Sequence, residues 1–175
     1  MISCIKKIQA ERGERLGGKP PYGYKKKTAD SKEIVPDEET APVVQYIFNL
    51  YAGGKGPSQI ARILSDEKIL TPAHYSYRTS GTMTAGMDMD RPYAWNSGTI
   101  SHILCNMVYL HTMKSTTISF KNKTRIAIPE NEQVIVKDTH PALVTHEKWD
   151  IVQEVWSHKR RPPKKMSKLN LGYRL

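Results

Sequence analysis

The sequence predicts an α+β domain: a helix-turn-helix-like helical bundle with a small antiparallel β-sheet and a C-terminal amphipathic helix. Three observations carry this prediction. Two apolar stripes of helical spacing are joined by a glycine turn, at 41–52 and 58–68. After residue 106 the apolar period changes from 3.6 to 2. Near the C-terminus an aromatic stripe returns to helical spacing.

The chain of 175 residues is 38% apolar, with a mean hydropathy of -0.56, enough for one core or two small ones. No apolar run approaches a membrane-spanning length, so no membrane partner is expected. The N-terminus lacks the pattern of a secretory leader, and a cytoplasmic location is expected. Cys4 and Cys105 form neither a disulfide framework nor a zinc pair, so no metal or cofactor is expected.

The first helix runs from about Ala41 to Ala52. Acidic Asp37, Glu38 and Glu39 precede Pro42, which suits a helix N-terminus. Val43, Val44, Ile47, Phe48, Leu50 and Tyr51 share a face, and Gly53-Gly54 stops the helix. Ser58 is the expected N-cap of the second helix, in which Ile60, Ile63 and Leu64 form the stripe ending near Lys68. From Thr71 to Pro92, Pro, Gly, Ser, Thr and Met occur without period, which predicts a long exposed loop.

A third helix opens at Trp95-Asn96-Ser97 and buries Ile100, Ile103 and Leu104. Its other face is small and polar, with Gly98, Ser101, His102 and Cys105, and with Thr99 and Asn106 at the margins. Such a face can approach a groove closely and hydrogen-bond to base edges. Short β-like runs follow at 108–110, 118–120, 125–128 and 134–136, with Lys121, Asn122, Lys123, Thr124 and Arg125 as a basic hairpin tip. Thr145 caps a last helix on which Trp149, Val152, Val155 and Trp156 share a face; it ends in the basic, proline-containing stretch 159–165.

Lys and Arg number 27 against 17 Asp and Glu, a net charge of +10, which points to a polyanionic partner. The charge is banded: +5 over 1–35, -2 over 36–75, +4 over 76–125, -4 over 126–157 and +7 over 158–175. Three contact strips are expected rather than one uniform surface. No phosphate loop, metal-ligand helix or nucleophile elbow occurs. Tyr77-Arg78-Thr79-Ser80 looks like the nucleophile-bearing Tyr-x-Arg-x-Ser segment of serine recombinases, but no later arginine cluster is placed to activate a phosphate. No catalytic residue is assigned, and His140 is read as structural.

Four stretches carry a resemblance. They are Gly13 to Lys27, containing Lys19-Pro20-Pro21-Tyr22-Gly23-Tyr24; Gly54 to Leu64, with Ile69-Leu70-Thr71-Pro72 after it; Trp95 to Asn106, continuing to Val108-Tyr109-Leu110; and His140-Pro141-Ala142-Leu143-Val144 with the Trp149 helix. With these the chain resembles the recombinase domain of the large serine recombinases, which integrate and excise phages and mobile elements such as transposons. His111 and the Met-rich loop from Thr82 to Met89 depart from the family pattern.

The resemblance implies a DNA-binding domain for attachment-site duplex DNA. It also implies a catalytic resolvase-type domain on the N-terminal side, a zinc-ribbon domain on the C-terminal side, and a parent protein that acts as a tetramer; the piece itself is expected to be monomeric. Residues 1–30 are then a basic lead-in segment, 31–157 the DNA-binding domain and 158–175 a basic linker. In this scheme the thin, extended segment 13–27 crosses the DNA backbone toward a minor groove, using Arg15, Lys19, Tyr22, Lys25, Lys26 and Lys27. The third helix offers Ser97, Thr99, Ser101 and His102 to the major groove, while Lys114, Lys121, Lys123 and Arg125 hold phosphates. Two other readings stay open: a stand-alone helix-turn-helix transcription regulator, which would recognise a palindrome as a dimer, and an RNA-binding protein.

Overall fold

A computed structural model describes residues 19–28, 31, 33–85, 87–110 and 139–159, together with the strand backbones 113–115, 118–121, 124–127 and 134–136. The chain enters through a tight turn at 21–24, closed by Tyr24 N–H donating to Pro21 O at 3.0 Å. Gly23 has φ +95° there, the positive value that turns of this kind assign to glycine. Strand β1 (Tyr24–Lys26) follows and pairs antiparallel with β2 (Ile34–Pro36), Tyr24 opposite Pro36. The segment read as one extended stretch is therefore turned and paired over 21–27, while residues 13–18 lie outside the described residues.

Helix α1 (Ala41–Ala52) buries Ala41, Val44, Ile47, Phe48 and Tyr51, while Val43 and Leu50, expected on the same face, are only partly buried at its margins. It closes with Gly54 at φ +90°, Gly54 N–H on Tyr51 O and Lys55 N–H on Leu50 O, a Schellman motif. Helix α2 (Pro57–Asp66) starts one residue before the expected cap. Gly56, not Ser58, is the N-cap, and its N–H donates to Gln59 Oε1 at 3.0 Å. Pro57 fits the first helical position because no hydrogen bond is asked of its nitrogen.

The expected loop 71–92 holds a helix the periodicity did not show, α3 (Pro72–Ser80). Thr71 caps it and Gly81, at φ +66°, ends it. The helix has no buried residue, so it carries no apolar stripe; polar and aromatic contacts dock it instead. Helix α4 (Ser97–Leu104) is capped by Asn96 and buries Ile100, Ile103 and Leu104 as predicted.

The run 108–110 is not a strand: Met107–Leu110 forms a 3-10 turn. Tyr109 and Leu110 both reach the core, which a two-residue alternation cannot do. Beyond it β3 (Met113–Ser115) pairs antiparallel with β6 (Val134–Val136), and β4 (Ile118–Lys121) with β5 (Thr124–Ala127). Lys121 stands opposite Thr124, while Asn122 and Lys123 of the expected hairpin tip lie outside the described residues. Helix α5 (His146–Lys159) starts at Thr145, whose hydroxyl oxygen accepts Lys148 N–H at 3.4 Å. The helices and the paired strands together make an α+β fold.

One core joins helices α1, α2, α4 and α5 with the β1–β2 pair and the 3-10 turn. Helix α1 is central, packing on α2, α4 and α5, while α2 also packs on α4. Phe48 stacks on Trp149, with 5.9 Å between ring centroids. Tyr24, Ile34, Tyr109, Leu143 and Val144 close the end of the core nearest the lead-in turn. No helix among the described residues is long and apolar enough to cross a membrane.

Candidate nucleic-acid interface

The Pro-Pro-Tyr-Gly-Tyr motif is an anchor. Gly23 N–H donates to Thr40 Oγ1 at 3.1 Å, and Tyr24 hydroxyl donates to Pro141 O at 2.8 Å. Tyr109 hydroxyl donates to Tyr22 O at 2.9 Å, and Tyr22 hydroxyl to Leu70 O at 3.3 Å. The Tyr22 ring meets Tyr75 and Trp95 edge-on, at 5.9 and 5.7 Å. Burial, first, and then the neighbouring Tyr75 hydroxyl push the Tyr22 phenol well above its usual range. Tyr22 thus stands as a half-buried strut, and the motif fixes the lysines on either side of it.

Those lysines border an open cleft of about 1490 Å³. Its walls come from the lead-in turn and β1, from α3 and the segment after it, and from the start of α4. Lys19, Lys25, Lys26, Arg91, Asn96 and Thr99 are among its lining residues. Two stretches some seventy residues apart, read from sequence as separate strips, therefore meet in one concave surface. Lys25 lies 3.9 Å from Glu38, and Lys27 pairs with Glu33 at 2.7 Å outside the cleft.

Helix α3 forms its wall through a polar clamp. Tyr75 hydroxyl donates to Asp37 Oδ2 at 2.6 Å, Arg78 pairs with Glu39, and the Arg78 guanidinium lies 5.1 Å from the Tyr75 ring centroid. Burial and the bond to Asp37 push the Tyr75 phenol up to about 12. Arg78 is thus committed to Glu39, and Ser80 hydroxyl donates to Ser76 O within its own helix. Of the Tyr-x-Arg-x-Ser look-alike, Thr79 and Ser80 line the cleft.

On α4, Asn96 Oδ1 accepts Thr99 N–H at 2.8 Å and Thr99 hydroxyl at 3.3 Å. Ser97 and His102 are exposed, Ser101 and Thr99 partly so. Ser101 hydroxyl donates to Ser97 O at 2.8 Å, so its oxygen keeps acceptor capacity. Thr99 lines the cleft, whereas Ser97, Ser101 and His102 stand on the helix beyond its rim. Lys114, Lys121 and Arg125 occupy β3, β4 and β5; Arg15 and Lys123 lie outside the described residues. Arg91 was missed because it falls in the stretch without period, where only its charge could have flagged it.

His140 is buried and structural: its Nε2 donates to Val108 O at 2.6 Å, and Tyr24 packs edge-on against its ring at 5.0 Å. Among the described residues no group of three His, Cys, Asp or Glu side chains could hold a metal ion.

A family model described as Recombinase matches residues 38–159. A solved structure described as "Crystal Structure of a LSR-DNA Complex" is similar with a TM-score of 0.55 at 19% identity, covering 93% of this chain and 41% of that one. Another, described as "Sequence Requirements of the Listeria innocua prophage attP site", has a TM-score of 0.45 at 18% identity and covers 87% and 50%. The chain therefore spans about two fifths to half the length of these solved chains.

Proposed function

The chain belongs to the Recombinase family, and from that premise we propose that it is the DNA-binding part of a site-specific serine recombinase, gripping attachment-site duplex DNA of a mobile element or phage. The observation that carries this reading is the cleft in which Lys19, Lys25 and Lys26 meet Asn96 and Thr99 at the start of α4. Cations on a concave wall suit a phosphate backbone, and small hydroxyl and amide groups beside them suit base edges. The likeness in fold to a chain described as part of an LSR–DNA complex agrees with it.

In this reading Lys19, Lys25 and Lys26 take phosphates, with Arg15 and Lys27 at the margins of the lead-in segment. Ser97, Thr99, Ser101 and His102 face the bases. Lys114, Lys121, Lys123 and Arg125 extend the phosphate contacts along the strands. Residues 1–30 and 158–175 connect to a catalytic resolvase-type domain and a zinc-ribbon domain. The parent protein assembles as a tetramer on DNA, while this chain binds as a monomer and does not cleave strands.

The test is fluorescence anisotropy of the chain with duplex from the ends of its own element, with scrambled duplex and with matched RNA, at two salt concentrations. Preference for the element's duplex that survives the higher salt is expected. Equal, steeply salt-dependent binding to all three would leave only a basic surface and reject a sequence-reading role.

A further inference from the structure

We infer that Arg91 is a phosphate contact of the cleft and that His74 is the positioning residue that keeps it there; the inference rests on duplex DNA being the cleft's ligand. The segment from Gly81 to Pro92 has no helix or strand among its described residues, yet α3 fastens its far end. His74 Nε2 donates to Asp88 O at 2.9 Å, while its Nδ1 shares a 2.7 Å hydrogen bond with Thr71 Oγ1. From Asp88 a turn runs directly to Arg91, closed by Arg91 N–H on Asp88 O at 3.2 Å. Thr71 N–H then holds Pro92 O at 3.0 Å. The first turn of α3 thus grips the backbone on both sides of Arg91.

The side chain is suited to an anion. Arg91 is exposed, lines the same cleft as Lys19, Lys25 and Lys26, and makes no ion pair among the described residues. Lys25 and Arg78 each have a carboxylate partner to leave before they can take a phosphate, whereas Arg91 forms no such pair among the described residues. A guanidinium also offers two parallel N–H groups to phosphate oxygens. Two acids share the turn, and one of them, Asp88, also lines the cleft. Asp88 Oδ1 accepts Asp90 N–H at 3.1 Å within the turn, and Asp90 does not line the cleft.

The experiment titrates the full chain and its variants onto a mixed-sequence duplex across a series of salt concentrations. Arg91→Ala is expected to weaken binding roughly threefold, as for one exposed ion pair, and to lower the slope of log affinity against log salt by about 1. His74→Ala should weaken binding similarly by itself but add nothing to Arg91→Ala, since it acts only through that residue. An undiminished slope in Arg91→Ala, while Lys25→Ala with Lys26→Ala lowers it, would overturn the inference and leave the cleft a DNA site. Additive losses from His74→Ala would overturn its positioning role. No binding by the unaltered chain, or no effect of the lysine pair, would reject the DNA reading itself.

Discussion

The hydroxyl of Tyr109 donates to the backbone carbonyl of Tyr22 at 2.9 Å, across 87 residues of chain. This bond joins the lead-in turn to the 3-10 segment that follows α4. Tyr109 also receives Leu143 and Val144 on its own carbonyl, at 3.1 Å each. Three of the sequence motifs therefore meet at one tyrosine, and the lysines flanking Tyr22 inherit their position from the core.

Gly23→Ala should destabilise the fold by about 2–4 kcal/mol, combining a strained positive φ with an overpacked contact. An added Cβ would lie 2.8 Å from Val44 Cγ2 and 2.9 Å from Leu143 Cδ1. Urea unfolding measures this; a loss below about 0.5 kcal/mol, typical of a neutral surface change, would contradict the anchoring role.

Asn96→Ala should cost about 1 kcal/mol by removing the α4 cap. Asn96→Asp retains a capping oxygen and should leave stability nearly unchanged, while placing a carboxylate in the cleft and weakening duplex binding. Equal DNA affinity for Asn96→Asp and the unaltered chain would speak against the cleft as a phosphate surface.

His102→Ala should cost about 1–3 kcal/mol on the correct duplex and much less on scrambled DNA, as for a base contact. Competition anisotropy with both duplexes decides it. Equal losses on the two would remove His102 from base recognition.

Stability should fall at alkaline pH. Burial raises the phenols of Tyr22, Tyr24 and Tyr109 above their ordinary value, and Tyr75 rises to about 12 through burial and its bond to Asp37. A raised folded value means that the contribution is complete below the unfolded pKa of 10.0 and is lost as pH climbs through the folded one. Above pH 10 the unfolded phenols ionise while the folded ones stay protonated, so stability falls with pH, and the share of Tyr75, partly exposed and so screened by solvent, levels off near its folded value. Urea midpoints from pH 8 to 11.5 should therefore drop, less steeply in Tyr75→Phe. A flat profile to pH 11 would contradict burial of these rings.

Local pattern determined much of this protein. The stripes of α1, α2, α4 and α5 were legible because burying one helix face leaves a 3.6-residue period, as at Val44, Ile47, Phe48 and Tyr51. Composition and motifs carried the basic balance and the family resemblance. Tertiary structure alone decided α3, the β1–β2 pairing and the cleft. Helix α3 buries no residue and is held by Tyr75, Arg78 and His74 through partners far away in sequence, so no local period records it. The 3-10 turn at Tyr109 was misread as a strand because three apolar neighbours look alike in either form. The meeting of Lys19, Arg91 and Thr99 on one surface rests on hydrogen bonds such as Tyr109 to Tyr22. Such long-range bonds form only when distant segments pack together, and they leave no periodic trace in the order of residues.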